Sequence, residues 1–112
     1  SYAQTWQLAP ARQQQDFIDA LHSLKIQGTF IVLLDVPRAP HADQLVPENL
    51  DSQVTVLRRQ LQAQEGYAYW SPGQLADDLY CDQGHLTRNG RKVYTQWLSQ
   101  QLDAWRVERG QP

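Results

Sequence analysis

One continuous apolar and β-branched run, residues 29–36 (TFIVLLDV), constrains the fold of this chain more than any other stretch. The run has the length of a strand and is far shorter than the ~20 apolar residues that span a bilayer. Because its apolar residues follow one another with little polar alternation, it is typical of a strand covered on both faces in a parallel sheet. Pro37 follows directly and predicts the end of the strand.

Amphipathic helices are predicted on both sides of this strand. Apolar residues recur at steps of three and four in residues 10–26 and again in residues 50–61. Gly28 and Gly66 are placed to end these two helices. Residues 67–70 (YAYW) then predict a second, short strand.

Polar side chains at the predicted helix starts can accept hydrogen bonds from free backbone N–H groups. Asn49 or Asp51 is suited to cap the second helix, and Thr87 is suited to cap a third. The apolar face of the third helix consists of Val93, Tyr94, Trp97, Leu98, Leu102 and Trp105. The aromatic members of this face are expected to pack in a core or an interface.

The predicted order of elements is helix, strand, helix, strand, helix. This order is typical of a doubly wound, flavodoxin-like α/β fold with a parallel sheet, and we expect residues 1–112 to form a single, partial domain. Two strands leave unpaired edges, so an upstream part of the same domain or a second copy of the chain is expected to complete the sheet. The sequence contains no methionine, and we expect it to be a segment of a longer protein.

Composition argues against several classes of function. The formal net charge of −2 gives no positive field to attract nucleic acid, so no nucleic-acid partner is expected. Cys81 is the one cysteine, so no internal disulfide can form, and the spacing of potential ligands predicts no metal site. We expect the Cys81 thiol to be partly buried and inert, since nothing cationic except His85 lies near it in the sequence.

The segment Asp82-Gln83-Gly84-His85 has the clearest chemical meaning. In an open α/β sheet, ligands collect at the carboxyl ends of the strands, and the loop after residues 67–70 lies at that edge. Three residues of separation in a turn let an Asp oxygen reach the His Nδ1, which leaves Nε2 as a base for a serine hydroxyl. We therefore predict that Asp82 and His85 are catalytic, with Gly84 easing the turn.

The same spacing occurs in Asp19-Ala20-Leu21-His22, inside the first predicted helix. Residues three apart on a helix merely share a surface, so a structural role and a weak local hydrogen bond are expected for Asp19 and His22. The spacing is therefore common by chance, and Asp82 and His85 gain weight only from their context.

That context resembles a known superfamily. The segment "DQGHLTRNG", followed by an aromatic amphipathic helix, resembles the last conserved block of the SGNH (GDSL-type) hydrolases, in which Asp-x-x-His precedes the C-terminal helix. The order of elements around "IVLLDVPRAP" and "DDLYCDQGHL" is similar to the C-terminal half of cell-envelope SGNH proteins that transfer or remove acyl groups, such as D-alanyl-transfer and polysaccharide O-acetylation proteins. The residues that match as a motif are Asp82, Gly84, His85, Leu86 and Gly90.

The resemblance implies a serine esterase or O-acyltransferase that acts on acylated envelope polysaccharide or similar esters and needs no cofactor. It implies that Asp82 orients the imidazole, that His85 is the general base, and that the protein is periplasmic or on the cell surface, with a possible membrane tether outside this segment. Hydrolysis and transfer use the same residues and are not distinguished. The family's Gly-Asp-Ser block, its oxyanion Gly and its Gly-x-Asn-Asp block do not occur in these 112 residues, so the Ser block is expected upstream.

Other polar residues have weaker claims to a function. Asp35 and Arg38 stand at the end of the long strand, where substrate contacts are common, and Arg38 can bind an anionic group bidentately. A surface ion pair is the alternative for Arg38. Ser71 is the one local serine considered as a nucleophile, although it has no Gly-rich elbow. Solvated surface positions are predicted for His41, Asp77 and Asp78.

Two functions outside catalysis stay open at this point. The first is a binding or assembly module that keeps the fold without the nucleophile, which a missing Ser block in the parent chain would favour. The second is a flavodoxin-like half-domain that pairs with itself, for which a concentration-dependent dimer in sedimentation would be the first sign.

Overall fold

A computed structural model describes residues 11–110, and its fold is mixed α/β, mostly helical, with one small parallel sheet. The α-helices are α1 Ala11–Ile26, α2 Pro40–Asp43, α3 Glu48–Glu65 and α4 Arg88–Glu108, the strands are β1 Val32–Leu34 and β2 Ala68–Trp70, and a 3-10 turn spans Asp77–Leu79. The α/β character is confirmed, and the doubly wound arrangement stays a prediction.

The helix ends follow local backbone chemistry. The chain leaves α1 through Gly28 and α3 through Gly66, with φ angles of 83° and 71° that suit glycine. The predicted cap of α3 by Asn49 or Asp51 is wrong, because the helix begins earlier, directly after Pro47. The Pro47 carbonyl accepts the first helical hydrogen bonds, from the N–H groups three and four residues further on.

Strands β1 and β2 pair in parallel, with Val32 opposite Ala68 and Leu34 opposite Trp70. The parallel pairing agrees with the prediction, but β1 is shorter than residues 29–36. It is also not covered on both faces, since Leu34 is 45% exposed. Within residues 11–110 the sheet has only these two strands, so each strand pairs along one edge with a single neighbour.

The described residues form two compact units. The first comprises residues 11–35 together with Leu45–Trp70, and therefore contains α1, α3 and both strands. Its core is Leu21, Leu61 and Tyr67, against which Ile18, Ile31, Leu33 and Leu57 pack. The second unit comprises Val36–Gln44 and residues 71–110, with α2, the 3-10 turn and α4. The prediction that residues 1–112 form one domain stays a prediction.

The connection between β1 and α3 contains the short helix α2. Pro40 suits its first position, because a helix does not use the N–H of its first residue. Ala39 and Ala42 are completely buried in the second unit, whereas the larger side chains of this segment are not. This segment is therefore packed structure rather than a free loop.

Helix α4 presents an aromatic face, as the sequence predicts. Tyr94, Trp97 and Trp105 are half-buried, and the rings of Tyr94 and Trp97 lie 5.2 Å apart between centroids. Val93 and Leu102, on the same predicted face, remain 42% and 38% exposed. Among the helices of residues 11–110, none is long and apolar enough to cross a bilayer.

Candidate catalytic site

The loop that carries Asp82 and His85 projects from a short backbone bridge. Tyr80 and Leu86 face each other in an antiparallel pair, and the N–H of Cys81 donates to the carbonyl of His85 at 2.7 Å. The Tyr80 ring is buried, and its hydroxyl donates to a backbone carbonyl of the segment before α2. The loop is thus closed on itself and anchored at its base by a buried aromatic side chain.

The chain leaves the loop directly into α4. The Thr87 hydroxyl accepts the N–H of Gly90 at 3.0 Å, so the predicted N-cap is confirmed. The N–H of Thr87 also donates to the Leu79 carbonyl at 2.8 Å. Gly90 is buried, and a Cβ placed there would overlap the Leu79 carbonyl oxygen and press against Leu86. The glycine therefore lets the first turn of α4 pack against the 3-10 turn.

The structure brings Asp82 and His85 into direct contact. His85 Nδ1 lies 2.8 Å from Asp82 Oδ2 and 3.0 Å from Oδ1. Oδ1 also accepts the backbone N–H groups of Gly84 and His85, at 2.9 and 2.8 Å. The carboxylate is therefore held by backbone and imidazole together, while the His85 side chain remains 85% exposed.

These donors stabilise the ionised form of Asp82. They hold the pKa of the Asp82 carboxyl below its ordinary value of 3.8: the N–H of Gly84 contributes most, the N–H of His85 next, and the imidazole third. Asp82 is thus ionised at neutral pH and can only accept hydrogen bonds. His85 Nδ1 consequently carries the hydrogen, and Nε2 of the neutral ring keeps a lone pair that can take a proton from a hydroxyl.

Gly84 has a different role from the one predicted. Its φ angle lies outside the left-handed region, and a Cβ added there would meet nothing within 4 Å. The turn is made instead by the Asp82 side chain, which accepts N–H groups two and three residues further on. The prediction that glycine eases this turn is therefore wrong.

The other Asp-x-x-His spacing does not form a pair. Asp19 accepts a hydrogen bond from Gln15 at 2.8 Å, one turn earlier on α1. His22 Nδ1 lies 3.4 Å from a carboxylate oxygen of Glu65, at the end of α3. The predicted weak local hydrogen bond between Asp19 and His22 is wrong, because each side chain finds a different partner.

The structure contains a second Asp–His pair that the sequence analysis missed. His41 Nδ1 lies 2.8 Å from Asp77 Oδ1, which also accepts the N–H of His41 at 3.0 Å. These contacts, the backbone hydrogen bond first, hold the pKa of Asp77 below its ordinary value. Both side chains are about half exposed, so the predicted surface position is correct, but they are partners. They stand 36 residues apart, so no local spacing reveals them.

Asp35 and Arg38, the two residues proposed for substrate contact, make contacts within the protein. Arg38 Nε is 2.8 Å from Asp43 Oδ1, which corresponds to the ion-pair alternative. Asp35 donates its N–H to the Trp70 carbonyl at 2.9 Å and so extends the β1–β2 ladder. Asp35 belongs to the first unit, whereas Arg38 belongs to the second with Asp82 and His85. A substrate role for either residue stays a prediction.

Ser71, considered as a nucleophile, and Cys81, expected to be inert, differ in their surroundings. Ser71 Oγ accepts the N–H of Gly73 at 3.1 Å and so stabilises a turn. The prediction that Cys81 is partly buried is wrong. Cys81 is exposed, because it lies in the loop that projects from the backbone bridge. Its Sγ lies 3.7 Å from the carbonyl oxygen of Leu86.

Within residues 11–110, no three His, Cys, Asp or Glu side chains are grouped as a metal ion would require. No protein-family model matches the chain, and comparison with curated proteins and with solved structures likewise gives no match. The likeness to SGNH hydrolases therefore rests on the Asp82–Gly90 motif and the order of elements.

Proposed function

We propose that Asp82 and His85 are the acid–base half of a serine-type SGNH esterase or O-acyltransferase, with the serine supplied by sequence outside these 112 residues. The observation that carries this proposal is the 2.8 Å contact between His85 Nδ1 and Asp82 Oδ2 on a ring that is 85% exposed. A general base of this class needs one nitrogen held by a carboxylate and the other open to a hydroxyl. Both requirements are met within a four-residue loop.

The chemistry follows from where the protons lie. The serine oxygen bonds to the acyl carbon as its proton moves to His85 Nε2, and Asp82 stabilises the imidazolium that results. His85 then returns the proton to the leaving alcohol as the carbon–oxygen bond breaks. Water or an acceptor hydroxyl next attacks the acyl-serine as its proton moves to His85. His85 returns that proton to the serine oxygen as the bond between this oxygen and the acyl carbon breaks. The scheme gives neither a metal nor a cofactor a role.

Exposure supports His85 over His41 as the base. Both imidazoles contact an Asp through Nδ1, but the His85 side chain is 85% exposed and that of His41 is 51% exposed. A base that must receive a proton from a separate side chain and then serve an incoming alcohol needs free approach. His85 offers more of it.

The proposal includes a substrate class and a location. Esters of envelope polysaccharide or similar acylated compounds are proposed as substrates, in the periplasm or on the cell surface, because the residues Asp82 to Gly90 resemble that branch of the superfamily. Hydrolysis and transfer differ only in whether water or an alcohol reaches the acyl-serine, so the test below uses an ester that reports either outcome.

The test compares ester turnover by the full-length native protein with that by three single variants, His85→Ala, Asp82→Asn and His22→Ala. We expect His85→Ala to lower kcat for 4-nitrophenyl acetate by about a thousandfold or more, with a large loss also for Asp82→Asn. His22→Ala is the matched control, because His22 follows Asp19 at the same spacing but contacts Glu65 instead. Loss within about tenfold in His85→Ala would contradict a triad base.

A binding or assembly module is the second candidate, and a missing Ser block in the full-length native protein would favour it. No Gly-Asp-Ser block occurs among these 112 residues. If the native protein contains no such block and does not turn over the ester, while it still binds acylated polysaccharide, the Asp82–His85 loop belongs to a binding surface.

A further inference from the structure

A backbone hydrogen bond joins the loop of Asp82 and His85 to Ala39, the residue before α2. The carbonyl of Gln83 accepts the N–H of Ala39 at 2.8 Å, and the N–H of Gly84 donates to Asp82 Oδ1 at 2.9 Å. This carbonyl and this N–H belong to one planar unit, so they cannot rotate independently. A turn of that plane would weaken both hydrogen bonds at once.

This peptide also stabilises the ionised form of Asp82. The Gly84 N–H is the largest cause of the lowered pKa of the Asp82 carboxyl. Whatever holds the Gln83 carbonyl in place therefore also holds the main donor to the carboxylate. Ala39 holds that carbonyl, and its side chain is completely buried, so it has little freedom to move.

The segment of Ala39 is in turn fixed by the second Asp–His pair. Asp77 Oδ1 receives both the N–H and the Nδ1 contact of His41, two residues after Ala39. Gln74 reinforces the attachment through a 2.9 Å hydrogen bond to Asp43 at the other end of α2. The continuous path is Asp77, His41, Ala39 and the 83–84 peptide, which ends at Asp82.

We propose that Asp77 and His41 are positioning residues for the Asp82–His85 pair and act through α2 and the 83–84 peptide. This inference deepens the proposed function and rests on it, because the positioned groups are those assigned to catalysis. Asp77 acts as an acceptor that ties α2 to the 3-10 turn. His41 supplies the two donors, and neither residue is assigned a contact with substrate.

The path is tested by amide hydrogen exchange of the native protein, measured by NMR near neutral pH. We expect Asp77→Ala to speed exchange of the Gly84 and His85 amides roughly two- to tenfold. Loss of the net free energy of one hydrogen bond would change the equilibrium constant for local opening by about this factor. His41→Ala keeps the backbone donor and should have a smaller effect. Asp77→Asn keeps an acceptor oxygen and should restore most of the protection.

Two controls make the result specific. Asp78→Ala changes the neighbouring carboxylate and should leave both amides unchanged. The Arg91 amide, which donates to the Thr87 carbonyl at 2.9 Å in the second unit, reports general unfolding of that unit. Unchanged Gly84 and His85 exchange in Asp77→Ala overturns the proposal. If Asp77→Ala also speeds exchange of the Arg91 amide, His41→Ala decides, and unchanged exchange of Gly84 and His85 in that variant overturns the proposal equally.

Exchange does not depend on ester chemistry, so the two proposals can fail separately. If exchange responds but His85→Ala keeps its activity, the path is real and the catalytic assignment is wrong. Where the native protein is active, Asp77→Ala should lower kcat roughly tenfold to a hundredfold with little change in KM, well below the loss in His85→Ala. An equal loss in both would make His41 and Asp77 part of the reacting machinery instead.

Discussion

At the scale of single residues, the Asp82 carboxylate organises the candidate site. It accepts two backbone N–H groups and contacts the imidazole, so it forms the turn and orients the ring at the same time. The spacing of Asp82 and His85 was sufficient to predict their contact. It was insufficient to show that the backbone N–H groups, more than the imidazole, lower the pKa of the Asp82 carboxyl.

The titration of Asp82 should therefore persist without the imidazole. We expect the Asp82 13Cγ signal in NMR to titrate below 3.8 in both the native sequence and His85→Ala, since Ala retains the backbone donor and Gly84 is unaffected. A titration midpoint that returns to the ordinary range in His85→Ala would mean that the ring, rather than the backbone, lowers the pKa.

The sign of the linked stability follows from the same shift. A carboxyl with a lowered pKa in the folded state stabilises that state at pH values above its unfolded pKa. This contribution is lost as the pH falls through the lower, folded pKa. The turn at Asp82 should accordingly keep its order through neutral and mildly acidic pH and lose it only below the ordinary titration range of Asp.

At the scale of elements, the packing contact between the 3-10 turn and α4 positions the loop of Asp82 and His85. Local signals predicted the helical part of this contact well: Thr87 caps α4, and the apolar spacing marks its aromatic face. The packing of the 3-10 turn against α4 was not predicted, because the requirement for glycine at position 90 comes from the Leu79 carbonyl that packs against it. Sequence gives the identity of a glycine but not what approaches it.

Gly90→Ala provides a test in which two effects oppose each other. Helix propensity alone favours Ala over Gly by about 1 kcal/mol. The added Cβ would overlap the Leu79 carbonyl oxygen, and overpacking against backbone costs roughly 1–3 kcal/mol. We expect the overlap to prevail, so that urea denaturation shows a lower free energy of unfolding.

Gly84→Ala is the matched control for this variant. Its Cβ would enter open space, and its φ angle is one that Ala adopts, so a change within about 0.5 kcal/mol is expected. If Gly90→Ala is as stable as the native protein, the contact between α4 and the 3-10 turn is looser than the structure shows.

At the scale of the whole molecule, contacts between residues far apart in the sequence were not predicted. Helix stripes, glycine stops and the Asp82–His85 pair lie within a few residues and were predicted. The His41–Asp77 pair and the hydrogen bond from Ala39 to Gln83 join positions 36 and 44 residues apart, which no periodicity encodes. The coverage of β1 was wrong for the same reason, since exposure depends on which elements surround a strand.

The small core of the first unit makes its stability sensitive to single side chains. Leu61 is 7% exposed and packs with Leu21 and Tyr67, so Leu61→Ala should lower the free energy of unfolding by roughly 2–4 kcal/mol. That is a large fraction of the 5–15 kcal/mol typical of a whole domain. Urea denaturation monitored by circular dichroism provides the measurement.

Val56 supplies the comparison on the same helix. Its side chain is 54% exposed, and Val56→Ala should change the free energy of unfolding by no more than about 0.5 kcal/mol. Similar losses in both variants would place the stabilising contacts of α3 elsewhere than around Leu61.

The short reach of the Tyr80–Leu86 bridge has a consequence for the order of folding. Its partners are six residues apart, whereas Val32 and Ala68 in the sheet are 36 apart. Closing the longer loop costs about 1.5 kcal/mol more in chain entropy. The Asp82–His85 hairpin and the start of α4 should thus form early, before the strands meet. The imidazole and carboxylate would then be in contact first, and the hydrogen bond from Ala39 would fix them late in folding.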